Sequence, residues 1–158
     1  MTSQPWLAHY DPPVPKTLAP YPTKPVYSIL EEAAAKYPDR PCTLFKGRVV
    51  TYREMNDLTD RMAAALAGIG IKKGDRVGIF IPNTPQFVIA YFGILKAGGI
   101  VVATNPLYTP REIEHQLNDS GVETMVVMSN FYGRIKEVQA KTKLKRLIVT
   151  NIKEQLPP

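Results

Sequence analysis

One cysteine, Cys42, in 158 residues leaves no partner for an internal disulfide and no basis for a cysteine-built metal cluster. That scarcity fits a reducing compartment. Long apolar runs are also missing. Met1 to Tyr10 has no basic start followed by an apolar stretch, so it reads as neither a signal peptide nor a transmembrane helix. Histidine is nearly absent: His9 and His115 stand alone, and no second ligand has the spacing a metal site needs. His115, near Glu112, Glu114 and Asp119, reads as part of a solvated helix face. No Gly-x-Gly-x-x-Gly follows a strand, and no Gly-rich loop ends in Lys-Ser or Lys-Thr. Ser28, Ser120 and Ser129 are accounted for by caps or turns, and none sits in a nucleophile elbow. Cys42, following Pro41 at a strand entrance, reads as packing rather than as a nucleophile.

What is present is enough for one core. Hydrophobic residues make up 44% of the chain, which places it among folded domains. The net charge of +6 is unevenly spread. Residues 133–158 carry seven basic against two acidic side chains, a local balance of +5. A solvated helix face and its exit explain that run. Nucleic acid is not expected as a partner, because the basic stretch has little aromatic interleaving for stacking.

Seven of the fifteen prolines fall within residues 1–25. Proline fixes φ and removes amide donors, so this segment reads as an extended arm. Trp6, Tyr10 and Tyr21 on it call for a surface to lie against: its own domain, another domain or a second subunit.

From Val26 to Thr150 the pattern is that of a folded α/β unit. Ser28 and Glu31 have capping-box spacing, and Ile29, Leu30, Ala33 and Ala34 make a short helical stripe before Pro38. Thr43–Phe45 and Val49–Thr51 flank Lys46-Gly47-Arg48 as a small hairpin. Thr51 and Glu54 form a second capping box, and the stripe Tyr52, Met55, Leu58, Met62, Leu66, Ile69 runs to Gly70. Strands are expected at 76–81, 100–104, 124–128 and 144–150, each apolar enough to be buried on both faces. Between them lie helices that begin at Thr84-Pro85, at Thr109-Pro110-Arg111-Glu112 and at Phe131. Gly70 and Gly98-Gly99 read as helix ends rather than phosphate cradles. The alternation predicts a layered, mostly parallel sheet with flanking helices. Residues 151–158 read as a linker or the boundary of a cloned piece.

In an open parallel sheet, ligands gather beyond the carboxyl ends of the strands. That rule selects Asn83, Asn105 and Tyr108 as cleft-lining candidates. A second reading stands beside it: Asn next to Pro commonly bonds its own loop, and Tyr108 before a cap has the place of a hydrophobic staple on Ile113.

Several stretches resemble the adenylate-forming superfamily. Thr51-Tyr52-Arg53-Glu54-Met55 is similar to its first core motif. Ile71 to Val77 followed by Ile81-Pro82-Asn83 is similar to the next, and Leu95-Lys96-Ala97-Gly98-Gly99 with Asn105-Pro106 resembles the second core motif. Asn105 to Gly121 resembles the bacterial long-chain fatty acid:CoA ligases in particular. Each motif alone is weak, but their order and spacing together are specific, from about Val26 onward. The superfamily often has proline where Ala103 stands.

The resemblance implies the first subdomain of the adenylate-forming fold and, in the parent protein, an acid-thiol ligase. That enzyme would use ATP, Mg²⁺ and CoA with a fatty acid substrate. It implies a cytoplasmic location, either free or peripheral to a membrane. The family's phosphate loop, ribose-binding acid and C-terminal lysine have no counterpart here, so no catalytic, cofactor-binding or metal residue is assigned. A piece of this kind is expected to be inactive and to hold none of those cofactors tightly. The alternative is a non-catalytic binding or self-association module, a homodimer built through the aromatic arm.

Overall fold

A computed structural model describes residues 4–157. Residues 1–3 and Pro158, which belong to the expected arm and tail, lie outside the described residues. The arm carries one turn of 3₁₀ helix, Pro5–His9, where extended chain was expected. Pro5 opens that turn, a place where its missing amide costs nothing. The arm's aromatics are not covered by this chain: Trp6 is 54% and Tyr21 67% exposed.

Helix α1 spans Ser28–Lys36, but Tyr27 holds the cap position and no side-chain cap bond forms. The expected Ser28–Glu31 box is therefore absent, because Ser28 is already helical. Of the expected stripe Leu30 is buried while Ile29 faces solvent. Strands β1 (Pro41–Phe45) and β2 (Arg48–Thr51) pair antiparallel. Their turn is two residues, Lys46-Gly47, with φ of 47° and 86°, and Arg48 already pairs with Phe45. Positive φ at both positions is the turn that suits a twisted hairpin, and Gly47 makes it accessible.

Helix α2 (Tyr52–Gly68) starts at a complete capping box between Thr51 and Glu54. It ends at Gly70, φ 92°, where Ile71 N–H reaches back to the Leu66 carbonyl at 3.0 Å. Strand β3 (Arg76–Phe80), helix α3 (Pro85–Lys96), strand β4 (Ile100–Ala103) and helix α4 (Pro110–Ser120) follow. Strand β5 (Thr124–Met128), helix α5 (Tyr132–Gln139) and strand β6 (Arg146–Thr150) complete the series. Thr109 and Glu112 cap α4 reciprocally, and Gly121 closes it with φ 66°. Among the described residues no helix is long and apolar enough to cross a membrane.

The four main strands are all parallel, in the order β4-β3-β5-β6. Side chains alternate across the sheet. Val77, Ile79, Ile81, Val126 and Met128 join Leu66, Ala90 and Ile94 on the α2/α3 face. Phe80, Met125 and Val127 join Ile113, Leu117, Ile135 and Val138 on the α4/α5 face. A third cluster of Leu30, Val50 and Met55, with Cys42 packed on it, ties α1 and the hairpin to α2. β3 and β5 are buried on both faces, as expected. β4 and β6 are not: they are the outer strands of the sheet, and Ile100 and Val149 are about half exposed. The chain between Asn151 and Pro157 turns back onto the body. Ile152–Gln155 forms a 3₁₀ turn, Gln155 is buried, and the Glu154 carbonyl accepts from Arg48 Nη1 at 3.3 Å.

Candidate functional site

Strand order decides where a site can form. β3 connects through α3 to β4 on one side, and β5 connects through α5 to β6 on the other. The chain therefore diverges between β3 and β5. In open α/β sheets that divergence opens a crevice at the carboxyl ends of the two strands. The rim there consists of Pro82-Asn83-Thr84 after β3 and Ser129-Asn130-Phe131 after β5. Phe131 lies across from Phe80, ring centroids 5.3 Å apart. Asn151 stitches the rim together: its Nδ2 donates to Ser129 Oγ at 3.0 Å, and its carbonyl accepts from Gln86 Nε2 at 3.0 Å.

Several polar atoms at this end of the sheet are buried and have no partner: Thr84 Oγ1, Thr104 Oγ1, Gln86 Oε1 and Gln155 Oε1. Thr84 was expected to cap α3. It holds the N-cap position in extended conformation, but its side chain makes no cap bond.

The three residues proposed from sequence do not converge. Asn83 is exposed and borders a cavity of about 300 Å³ between β1 and the start of α3. Asn105 sits at the end of an outer strand, where its Oδ1 accepts from Leu107 N–H at 3.0 Å and shapes its own loop. Tyr108 packs against the cluster containing Ile113 and borders a separate recess along α4 with Arg111, His115 and Asp119. Ser129, Gln86 and Asn151 at the rim went unrecognised as a group. Each follows or precedes a strand end, but nothing local says that β5 rather than β4 faces β3 across the crevice.

The opposite end of the sheet holds a polar recess of about 360 Å³ bordered by Asp75, Arg76, Glu123, Thr124 and Arg146. Its charges are mixed, and Arg146 Nη1 reaches Thr124 Oγ1 only at 3.5 Å.

Ionisable groups are perturbed for structural reasons. The backbone N–H and then the hydroxyl of Thr51 hold the Glu54 carboxyl below its ordinary range, and Thr109 does the same for Glu112. Burial pushes the Cys42 thiol up, which makes it a poorer nucleophile. Among the described residues no three of His, Cys, Asp and Glu gather where they could hold a metal ion.

The residues of the recognisable motifs are themselves engaged in local structure. Thr51 and Glu54 cap α2, and Thr109 and Glu112 cap α4. Asp75 Oδ2 accepts from Lys72 N–H at 2.7 Å and folds the turn into β3. Gly98, φ 81°, and Gly99 end α3, with Gly99 N–H bonded to the Ile94 carbonyl at 2.9 Å.

A family model described as "AMP-binding enzyme" matches residues 30–157. A long-chain-fatty-acid–CoA ligase of Salmonella typhimurium is 43% identical over 152 residues, covering 96% of this chain and 27% of the relative. One of Bacillus subtilis is 40% identical over 158 residues, covering 99% of this chain and 28% of the relative. The chain thus spans little more than a quarter of these relatives. The crystal structure of a long-chain-fatty-acid-CoA ligase from Archaeoglobus fulgidus superposes with a TM-score of 0.76 at 27% identity, covering 85% of this chain and 30% of that one.

Proposed function

This chain belongs to the AMP-binding enzyme family, and from that premise we propose that it is the structural first subdomain of a fatty acid:CoA ligase. Its relatives named above are long-chain-fatty-acid–CoA ligases. In the parent protein the reaction would run in two steps. A fatty acid carboxylate oxygen attacks the α-phosphorus of ATP, forming an acyl-adenylate and releasing pyrophosphate. The CoA thiol then attacks the acyl carbonyl, forming the thioester and releasing AMP. Mg²⁺, when bound, would screen the phosphate charge, and residues outside those described here would hold it.

The role of this chain is to build a wall. The observation that carries this reading is the engagement of its motif residues: Thr51, Glu54, Asp75, Gly98, Gly99, Asn105, Thr109 and Glu112 are all used in caps and turns. None projects a free nucleophile, general base or phosphate ligand into the crevice. The buried sheet holds the β3 and β5 ends in place, and their rim would form one face of a cleft completed by residues elsewhere in the parent.

A pyrophosphate-release assay with palmitate, ATP, Mg²⁺ and CoA tests this. The purified 158-residue chain should give background rates, whereas a longer chain carrying the residues that follow in the relatives should turn over. Sustained release by the short chain would overturn the proposal. A second reading, self-association through the arm, is favoured by the exposure of Trp6, Tyr10 and Tyr21. Sedimentation decides it: a monomer at high concentration removes that reading.

A further inference from the structure

β4 and β6 are the two open edges of the parallel sheet, and they are not alike. Along a parallel strand, alternate residues turn both N–H and C=O toward the same neighbour. In β4 the Ile100 N–H bonds inward to the Asp75 carbonyl at 2.8 Å and the Thr104 N–H to the Ile79 carbonyl at 2.9 Å, so Val101 and Ala103 turn theirs outward. That edge is partly closed, because Gln116 Nε2 of α4 donates to the Ala103 carbonyl at 3.0 Å. In β6 the Arg146 N–H bonds inward to the Glu123 carbonyl at 3.0 Å, so Leu147 and Val149 turn outward. Their backbone groups have no partner among the described residues.

The middle of β6 is Leu-Ile-Val, with no bulge, proline or charge to blunt the edge. Val149 is 49% exposed. On the α2/α3 face a recess of about 270 Å³, bordered by Met62, Ile89, Ile148 and Thr150, opens beside the strand. The strand's two ends carry opposite charge. It begins at Arg146 and ends at Thr150, whose Oγ1 donates to Glu154 Oε2 at 2.6 Å. Arg146 forms no ion pair among the described residues, and Glu123 beside it is taken by Lys145 at 2.8 Å. Arg146, Ile148 and Thr150 share one face of the sheet, as alternation requires. A cation at one end and an anion at the other complement themselves when the strand meets its own copy running the opposite way.

We propose that β6 is the contact edge of a homodimer, in which a second copy of this chain pairs antiparallel with it about a two-fold axis at Ile148. Leu147 of each copy exchanges both backbone hydrogen bonds with Val149 of the other. Ile148 meets Ile148, and Arg146 of each copy reaches the Thr150–Glu154 end of the other. The contact is isologous, so it closes on itself instead of growing into a fibre. It does not rest on the ligase reading, and it uses different residues from association through the arm.

Sedimentation equilibrium of the 158-residue chain tests it. Wild type should be a monomer–dimer mixture whose dimer share falls as salt is raised. Val149→Lys and Arg146→Glu, both at exposed positions, should each weaken dimerisation about ten-fold or more. Ile100→Lys on β4 and Trp6→Ala on the arm should leave it at the wild-type value. Amide exchange gives a second readout: the Leu147 and Val149 N–H groups should slow with rising protein concentration, whereas that of Val101 should not. A monomer at every concentration would overturn the proposal. So would wild-type dimerisation in either β6 variant, or a dimer lost on Trp6→Ala.

Discussion

Lys96 is the last residue of α3, and its side chain is only 6% exposed. Its Nζ donates to Asp60 Oδ1 at 2.6 Å and to Asn56 Oδ1 at 2.8 Å, with Glu31 Oε1 at 3.7 Å. One ammonium thus joins α1, α2 and α3. Its partners differ from it in one respect that matters: Asp60 and Glu31 are 55% and 47% exposed. Attraction to Asp60 at 2.6 Å is about 6 kcal/mol at an effective dielectric of ~20, before solvent at the exposed carboxylate screens it. Desolvating the ammonium costs several kcal/mol in the opposite direction. The two nearly cancel, so Lys96→Met, which keeps the volume and frees two carboxylates to rehydrate, should change stability by less than about 1 kcal/mol. Removing the partners instead strands the charge. Asn56→Ala with Asp60→Ala leaves the ammonium only Glu31, and should cost about 3 kcal/mol. Urea unfolding followed by far-UV circular dichroism reads both, through the midpoint at unchanged slope. The reasoning is refuted if Lys96→Met destabilises as much as the double variant, for then the pair itself and not its desolvation would dominate.

Two further outcomes follow from the packing and the caps. A Cβ at Gly93 would lie 2.5 Å from Met62 Cγ and 2.7 Å from Met62 Cβ, so α2 and α3 touch through this glycine. Gly93→Ala should lose about 1 kcal/mol or more, overpacking outweighing a gain of about 1 kcal/mol in helix propensity. Met62→Ala in the same chain should recover part of the loss in a urea midpoint measurement, and no recovery would place the strain elsewhere. The Glu54 and Glu112 carboxyls titrate lower in the folded chain than in the unfolded one. Their stabilisation is therefore complete above the unfolded value of about 4.3 and is lost as pH falls through the folded values. The Glu54→Gln/Glu112→Gln variant should melt lower than wild type near neutrality and converge with it in acid. Melting curves that stay parallel across that pH range would contradict the cap assignment.

Local physics was legible wherever one short stretch carried the whole cause. The capping boxes at Thr51–Glu54 and Thr109–Glu112, the αL glycine at 121, and the strand at 124–128 all stand where the residues placed them, because a cap or a turn needs only its own neighbours. Ser28 and Thr84 show the limit of the same reasoning. Both have the right side chain at the right spacing, but chain direction on entering the helix turned one into a helical residue and buried the other's hydroxyl.

Composition and periodicity determined that this chain is an α/β layer built from alternating strands and helices, since burial of each apolar stripe requires a sheet with helices on both faces. The order β4-β3-β5-β6 was decided only in three dimensions. That order exposes β4 and β6 and sets the Ser129 and Asn105 loops on either side of the Asn83 loop, while Asn83 and Tyr108 border different recesses. The reason is physical: an apolar strand reports how much it is buried, but which neighbour buries it depends on crossovers that no local run of residues encodes.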